Sequence, residues 1–330
     1  MLLFEHCDLY WKPMSKIKKI RRRIMWPIEG LFIYSMLFSI KLLTFRGARR
    51  VGAILGSLIY MVPSSRKLIL ANLKLALPDK SQAELIVIAK KSCRGLMTVY
   101  IEFMWFYKSP ARMEKYIKVP KEMEPKLAEI NDPNQAVLFF GMHWGNWELM
   151  TYGLKCSFIA RYIKNPLLEK FITEGREYNG CSVLHEKGAV RGIMKALKQK
   201  KTVGMLVDQN TKTHQGGTFA NFLNLPVTVS KTPALLAMKM KPKVFLCNCK
   251  RTKDGFEVCI KDLPQDVEKY ENEADLTQAM VDMMAAFVKE APEQWVWLYK
   301  RWNYIPTNWA DRKDHFPFYS IMDKNLEFTP

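Results

Sequence analysis

The fold of this chain is decided by one stretch, Ala136-Val137-Leu138-Phe139-Phe140-Gly141-Met142-His143-Trp144-Gly145-Asn146-Trp147-Glu148. A short apolar run leads directly into a turn that contains glycine, which is typical of a buried strand that ends at the edge of a sheet. We therefore predict a strand over residues 136–140 and a helix over residues 147–155. His143 would lie in the turn between them, and Glu148 in the first turn of the helix.

The pair His143 and Glu148 has the composition of a general base with its orienting carboxylate. On one continuous helix, residues five apart would point away from each other, but a strand–turn–helix junction lets the two side chains meet. A carboxylate that holds one imidazole nitrogen fixes the tautomer and raises the basicity of the ring, and the other nitrogen can then accept a proton from a hydroxyl. The alternative is a glutamate that caps a helix beside a half-buried histidine. The preceding strand and the aromatic neighbours favour the catalytic interpretation.

Downstream of this stretch, short β-rich runs alternate with helical segments. We predict further strands over residues 202–207, 244–249 and 256–260, and Asp254-Gly255 supplies a turn that would join the last two as a hairpin. Further helices are predicted over residues 165–178 and 190–200, and a long final helix carries Leu276, Met280, Met283, Phe287 and Val288 on one face. This alternation predicts an α/β fold with functional residues at the carboxyl ends of the strands.

The N-terminal region has a different pattern. Residues 12–23 contain seven basic side chains and no acidic one, and residues 25–43 are apolar except for Glu29 and Lys41. Because a bilayer core needs about 20 mainly apolar residues, this is either one tilted span or an interfacial helix. A signal peptide or a core helix are the alternatives. We predict four regions: a basic flank with a membrane helix (1–62), a helical segment (63–134), the α/β catalytic domain (135–304) and a tail (305–330).

The bulk composition limits the classes of partner. The 330-residue chain is 48% hydrophobic and carries a net charge of +19, which predicts an anionic partner such as a nucleic acid, a membrane surface or an acidic substrate or carrier protein. The seven cysteines are scattered, without a Cys-x-x-Cys pair. This spacing favours reduced thiols in a cytoplasmic compartment over a disulfide framework or a zinc site.

The stretch from His143 to Glu148 resembles the His-x-x-x-x-Glu signature of the late acyltransferases of lipid A biosynthesis, the lauroyl and myristoyl transferases of the lysophospholipid acyltransferase superfamily. Other blocks resemble the family in the expected order over residues 25–303: Arg161 with Asn165-Pro166-Leu167-Leu168, then Asp208, then Gly217-Thr218-Phe219, then Ala291-Pro292-Glu293-Gln294-Trp295-Val296-Trp297-Leu298. The chain departs at Tyr299-Lys300-Arg301, where members often carry His-Arg-Arg. A headgroup contact at this segment would therefore differ from that of the family.

The resemblance implies a mixed, largely parallel sheet flanked by helices, with an N-terminal membrane-associated helical segment. It implies a membrane-bound O-acyltransferase that moves a fatty acyl chain from acyl carrier protein, or another acyl thioester, to a hydroxyl of a lipid A precursor. No cofactor or metal would be needed. The enzyme would lie at the cell inner membrane with its catalytic domain facing the cytoplasm, and its basic surface would suit the acidic carrier protein, the anionic acceptor and the membrane.

The resemblance also implies roles for particular residues. His143 would be the base and Glu148 its carboxylate. Arg161 would bind an anionic acceptor group, Asp208 would orient Arg161 or the acceptor sugar, and an acyl channel would be lined by Trp144, Trp147 and Phe219. The remaining candidates for substrate binding or charge stabilisation are Asn146, Gly217 and Thr218.

Three alternatives remain open. The same fold and base could acylate a phospholipid or another glycolipid. A nucleic-acid-binding protein would fit the charge, but the basic residues are dispersed and no known binding motif is present, so we expect no nucleic acid partner. A metallohydrolase could use His143, Glu148, His185 and His214, although their spacing matches no common zinc pattern.

Overall fold

The computed structural model describes residues 16–178, 180–185, 189–323 and 327–328, and for residues 16–24 it describes only the helical backbone. The basic residue Lys12 therefore lies outside the described residues. The helices of the described part are α1 (Lys16–Lys41), α2 (Phe45–Met61), α3 (Pro63–Ala76), α4 (Gln82–Phe106), α5 (Pro110–Tyr116), α6 (Glu124–Ile130), α7 (Pro166–Glu177), α8 (Ala189–Lys198), α9 (Thr232–Met240) and α10 (Glu273–Glu290).

A central sheet of seven strands has the order β1-β9-β8-β2-β5-β3-β4. Two short sheets pair β6 with β7 and β10 with β11. The strands are β1 (Ile117–Lys118), β2 (Val137–Gly141), β3 (Cys156–Ala160), β4 (Ser182–His185), β5 (Thr202–Leu206), β6 (Gly217–Phe222), β7 (Leu225–Ser230), β8 (Lys243–Arg251), β9 (Phe256–Asp262), β10 (Tyr304–Ile305) and β11 (Ile321–Met322). In the central sheet only the β8–β9 pair, among the described residues, is antiparallel.

Strand β2 is the centre of the fold because both of its faces are buried. Val137 and Phe139 belong to the apolar cluster on one side of the sheet, and Leu138 and Phe140 belong to the cluster on the other. Continuous apolar sequence is what a parallel strand covered by helices on both faces requires. The predicted α/β fold with a largely parallel sheet flanked by helices is therefore confirmed.

Helix α4 connects the two apolar layers. Its first half contributes Leu85, Ala89 and Cys93 to the cluster that includes α3, α8, α9 and α10. Its second half contributes Val99 and Met104 to the opposite cluster, together with α1, α2 and α7. The N-terminal helices are thus packed onto the sheet through α4 and form part of the same core.

The sequence predictions hold for most of the longer elements. The strands β2, β5, β8 and β9, the β8–β9 hairpin and the helices α7, α8 and α10 are where they were predicted. The helix predicted over residues 147–155 is wrong, because this segment folds as successive turns closed by bonds such as Tyr152 N to Leu149 O and Leu154 N to Thr151 O. Gly153, at φ +78°, interrupts any regular helix there.

Several strands were not predicted. Strands β3 and β4 are only five and four residues long and are mostly half-buried or exposed, so neither gives the fully buried apolar run that marked β2. The β6–β7 hairpin begins with Gly217-Thr218-Phe219, for which the sequence analysis predicted contact with substrate and no strand. Strand β1, inside the segment predicted as helical, joins the sheet at its edge beside β9.

In the described part of the chain, no single helix is long and apolar enough to cross a bilayer. Helices α2 and α3 would satisfy the length and hydropathy criteria only together, and they are bent by 91° at the break between them.

Helices α2 and α4 pack closely because α2 presents glycines to α4. A Cβ atom on Gly56 would lie 2.2 Å from the carbonyl oxygen of Cys93 and 2.5 Å from the Cα of Arg94. Both are backbone atoms of α4, which cannot move without shifting the helix. The contact therefore requires a residue without a side chain.

We expect Gly56→Ala to lower the free energy of unfolding by about 1–3 kcal/mol, since the added methyl overpacks the α2–α4 contact. Chemical denaturation followed by circular dichroism measures this. Gly192→Ala on α8 is the matched control: its Cβ would meet only Leu184 at 3.8 Å, and alanine is the better helix former. Equal stability of the two variants would contradict the close packing of α2 on α4.

Candidate active site

The site lies at the carboxyl edge of the central sheet, where the adjacent parallel strands β2 and β5 end. Gly141 of β2 is in register with Leu206 of β5, so His143 and Asp208, two residues further along each chain, emerge side by side. A bond from Val207 N to Gly141 O continues the pairing up to this point. His143 and Asp208 thus lie at the carboxyl ends of their strands, where the sequence analysis expected functional residues.

Asp208 holds the imidazole of His143. The Nδ1 atom of His143 lies 2.7 Å from Oδ1 of Asp208, while Oδ2 of Asp208 accepts bonds from the backbone N of His143 at 2.9 Å and from Nε1 of Trp295 at 3.0 Å. With Nδ1 donating to the carboxylate, Nε2 carries the lone pair. The side chain of His143 is 23% exposed, against 5% for Asp208, so the imidazole is the member of the pair that a substrate can reach.

The expectation that Glu148 holds an imidazole nitrogen is not what the geometry shows. Glu148 accepts two bonds from Arg176 of α7, from Nε at 2.8 Å and from Nη2 at 2.7 Å. This bidentate pairing with a guanidinium directs the carboxylate away from a direct bond to the ring. Asp208 therefore occupies the orienting position, and Glu148 acts on His143 through its charge.

Four charged groups at the site shift one another's pKa values: His143, Asp208, Glu148 and Arg176. Burial opposes the charged form of His143, but the charge and hydrogen bond of Asp208, with the charge of Glu148, outweigh burial and raise the pKa of the imidazole above its ordinary 6.5. Burial also opposes the ionised carboxylates. Arg176 nevertheless lowers the pKa of Glu148, and His143 lowers that of Asp208.

The turn that carries His143 is fixed by backbone bonds to two other segments. Asn146 N donates to Cys249 O of β8 at 2.8 Å, Gly145 N donates to Gln294 O at 3.0 Å, and Val296 N donates to His143 O at 3.2 Å. Gly145 has φ +64°, and a Cβ there would lie 2.0 Å from Cys249 O. Only glycine fits this position, both for its backbone conformation and for the close approach to β8.

Asn146 was predicted to contact substrate, but its side chain points inward and is fully buried. Its Nδ2 donates to Oε2 of Glu102 on α4 at 2.8 Å, and its Oδ1 accepts from the backbone N of Glu148 at 3.2 Å. Glu102 is buried as well and also accepts bonds from Arg49 of α2 and Arg251 of β8. Asn146 is therefore a residue that positions the turn.

Arg161 follows β3, the neighbour of β5, so the structure places it at the same edge of the sheet with an exposed side chain. Asp208 was expected to orient Arg161, but its carboxylate instead bonds His143 and Trp295. Arg161 thus keeps its place as a candidate for an anionic group, while Asp208 belongs to the base.

The other predicted substrate residues lie in β6. Gly217 lies so close to the preceding segment that a Cβ would meet Thr211 O at 2.0 Å. Thr218 is half-buried, and Phe219 is buried with its ring 6.4 Å from that of Phe328. The three residues are therefore part of a packed hairpin, and their contacts in the described structure are with other protein residues.

The tryptophans of the motif differ in role. Trp144 is fully buried, donates from Nε1 to Ala291 O and packs on Phe287, so it is a core residue. Trp147 lies edge-on to the imidazole, with ring centroids 5.1 Å apart, and is the one of the three predicted channel aromatics that contacts His143.

Four residues that shape the site were missed by sequence reasoning: Glu102, Arg176, Gln209 and Arg251. Glu102, Arg176 and Arg251 lie on α4, α7 and β8, which are remote from the motif in sequence. Gln209 follows Asp208, for which the sequence analysis had predicted a different role. Only Gln209 had a usable signal, since it follows Asp208 at the end of a predicted strand. In the described residues no cluster of three or more His, Cys, Asp or Glu side chains could hold a metal ion.

We expect the pKa of the His143 imidazole to lie above its ordinary 6.5 in the wild type and to fall in Asp208→Asn. The substitution removes the carboxylate charge that raises the pKa and leaves the burial that lowers it. NMR titration of the ring resonances measures both values. Asp282→Asn, on the exposed face of α10, is the matched control and should leave the titration unchanged. An unaltered pKa in Asp208→Asn would contradict the pairing.

Comparisons with known proteins identify the family of this chain. The family of bacterial lipid A biosynthesis acyltransferases matches residues 16–304. The lipid A biosynthesis lauroyltransferase of Escherichia coli (strain K12) is 24% identical over 268 residues, which cover 78% of this chain and 85% of that protein. The lipid A biosynthesis palmitoleoyltransferase of the same organism is 25% identical over 244 residues, or 71% of this chain and 78% of that protein.

Among solved structures, the 1-acyl-sn-glycerophosphate acyltransferase PlsC from Thermotoga maritima aligns with a TM-score of 0.37 and 14% identity. The alignment covers 75% of this chain and 99% of that one. From the family match over most of its length, this chain belongs to the bacterial lipid A biosynthesis acyltransferases and is an acyltransferase.

Proposed function

We propose that this acyltransferase moves a fatty acyl chain from acyl carrier protein to a hydroxyl of a lipid A precursor, with His143 as the general base. The observation that carries the proposal is the His143–Asp208 pair at the sheet edge. Its 2.7 Å bond fixes the tautomer in which Nε2 is unprotonated, and that ring is the exposed member of the pair. A chain of this family needs a base of this kind to activate a hydroxyl.

The reaction can be written with the residues present. The acceptor hydroxyl donates to Nε2 of His143 and loses its proton as its oxygen attacks the thioester carbonyl carbon. The tetrahedral intermediate collapses with cleavage of the carbon–sulfur bond. The departing thiolate takes up the proton from the imidazolium, which restores the neutral base. No covalent acyl-enzyme is involved, and Asp208 stabilises the imidazolium throughout.

Glu148 contributes a second negative charge near the ring, which favours the imidazolium formed during attack. Arg176 keeps this carboxylate ionised by holding both of its oxygens. We infer that the glutamate of the motif acts electrostatically, within a site that alternates positive and negative groups. Arg161, exposed at the same edge, has the planar fork that suits a phosphate on the acceptor.

We expect His143→Ala to lower the transfer rate by roughly 10²- to 10⁴-fold, and Asp208→Asn and Glu148→Gln to lower it less. Wild-type activity should rise with pH through a pKa above 6.5, because only the unprotonated imidazole is a base. The assay supplies acyl carrier proteins loaded with saturated chains and a tetra-acylated lipid A precursor, and follows lipid mass. His214→Ala, on an exposed turn, is the control and should transfer at the wild-type rate.

Two outcomes of this assay would change the proposal. Wild-type transfer that is unaffected by His143→Ala would remove His143 from the base position. Acylation of a phospholipid in place of the precursor would keep the chemistry and change the acceptor.

We further propose that the enzyme works at the cell inner membrane, facing the cytoplasm. Helix α1, with Leu42 directly after its end, exposes a row of apolar side chains at spacings of three, four and seven residues, which is the spacing of one helical face. Ile28 is 55% exposed, Leu31 is 71% exposed, Phe38 is 67% exposed and Leu42 is 72% exposed. Helix α2 exposes Ile54, Leu58 and Met61 at the same spacing. Exposed apolar rows on two helices, after a basic segment, fit insertion among anionic headgroups.

We expect the double variant Leu31→Ser/Phe38→Ser to bind vesicles of phosphatidylethanolamine and phosphatidylglycerol about tenfold or more weakly than the wild type. Each side chain loses most of the apolar surface that it would bury in the acyl region. Cosedimentation of the purified protein measures the bound fraction. The control Tyr178→Ser/Val190→Ser removes exposed apolar side chains from elsewhere and should bind normally. Equal binding of both variants would exclude α1 as the membrane contact.

A further inference from the structure

Gln209 lies beside the one imidazole nitrogen that the Asp208 bond leaves free. Its amide Nε2 is 3.5 Å from Nε2 of His143, and its side chain is half-buried at the sheet edge. This separation is longer than the roughly 3 Å of a well-formed N–H hydrogen bond. The amide therefore faces the lone pair of Nε2 but makes at most a weak hydrogen bond to it.

The segment that carries Gln209 is held firmly on both sides. Before it, Asp208 is fixed by His143 and Trp295. After it, Asn210 makes three further bonds: its backbone N donates to Oη of Tyr299 at 2.8 Å, its Nδ2 donates to Lys300 O at 2.8 Å, and its Oδ1 accepts from Arg301 at 2.9 Å.

The Tyr299-Lys300-Arg301 segment was considered for a headgroup contact, but the structure gives it this supporting role. Arg301 is only 1% exposed and donates from Nη1 to Thr228 O as well as to Asn210. A buried guanidinium bonded in two directions holds the Asn210 side of the loop in one position. The backbone of Gln209 is therefore fixed before any substrate arrives.

We infer that the side-chain amide of Gln209 donates a hydrogen bond to the acceptor oxygen while this oxygen loses its proton to Nε2 of His143. This assignment rests on the proposed function. An acceptor hydroxyl bonded to Nε2 of His143 lies within reach of the same amide. As the hydroxyl proton passes to Nε2, negative charge develops on the acceptor oxygen, and it passes to the thioester carbonyl oxygen as the carbon–oxygen bond forms. The amide N–H of Gln209, beside Nε2, faces the acceptor oxygen. A donor held in place before the reaction stabilises such charge without reorganisation.

The role distinguishes Gln209 from the residues around it. Asp208 and Glu148 act on the imidazole, so their loss changes its pKa. Gln209 is neutral and touches the reacting atoms, so its loss removes stabilisation of the transition state and leaves the titration of the base in place.

The test uses the full-length enzyme with the acyl carrier proteins and tetra-acylated precursor named above. Gln209→Ala should lower kcat by about 10²- to 10³-fold while KM changes less than about threefold. The isosteric Gln209→Glu should lose at least as much, because it keeps the shape and replaces the donor by a charged acceptor. The acid limb of the pH profile should stay at the wild-type position in Gln209→Ala. Gln199→Ala, on an exposed surface, is the matched control.

The outcomes separate this assignment from the proposed function. Normal kcat in Gln209→Glu, or a loss in Gln209→Ala that is confined to KM, would overturn the donor role while wild-type transfer upholds the function. A shifted acid limb in Gln209→Ala would show that Gln209 acts on the base and would also overturn it. A wild type that acylates no lipid would overturn both.

Discussion

The geometry of the site depends on the hydrogen bonds that the carboxylate of Glu102 accepts. It is buried on α4 and accepts bonds from Arg49 of α2, Arg251 of β8 and Asn146 of the turn after β2. A buried carboxylate with one partner missing would be costly, so the four residues stabilise the fold only as a complete set. The set joins the N-terminal helices, the sheet and the turn that carries His143. The turn therefore has its active shape only when α2 and α4 are docked on the sheet.

A chain of hydrogen bonds connects Glu102 to the groups around the base. Asn146 bonds Glu102 with one end of its amide and the backbone of Glu148 with the other. Glu148 in turn pairs with Arg176 of α7, and His143 pairs with Asp208 after β5. The base is thus bordered by two carboxylates, one bonded to it and one close enough to act through its charge. Both raise the pKa of the imidazole against the effect of burial.

In the proposed function, the packing of α1 and α2 on α4 also affects how a lipid substrate reaches the site. Both helices pack on α4 with one face and expose apolar side chains elsewhere. With these exposed faces in the bilayer, the hydrogen-bonded set around Glu102 would connect α2 to the turn that carries His143 through Arg49, Glu102 and Asn146. A lipid acceptor held at the membrane surface would then meet a site whose position relative to that surface is fixed.

Residues close together in sequence determined much of what could be predicted. The apolar run before His143 specified a buried parallel strand, Asp254-Gly255 specified the hairpin, and the 3.6-residue periodicity specified α10. These signals are local, since each depends on the conformational preference or burial of one short segment. The His143–Glu148 motif is a local signal of the same kind, and the family resemblance that it carries was confirmed by the match over residues 16–304.

Tertiary structure alone decided which groups meet at the site. Asp208 reaches His143 because β2 and β5 are neighbours in register, although 65 positions separate the two residues in the chain. Glu102 and Arg176 enter from helices whose polar residues are indistinguishable, in sequence, from surface charges. The helix predicted over residues 147–155 failed for a related reason: the segment forms successive turns, such as Tyr152 N to Leu149 O, and Gly153 at φ +78° ends any regular helix. Pairing between distant segments depends on the packing of the whole sheet, which a local pattern does not contain.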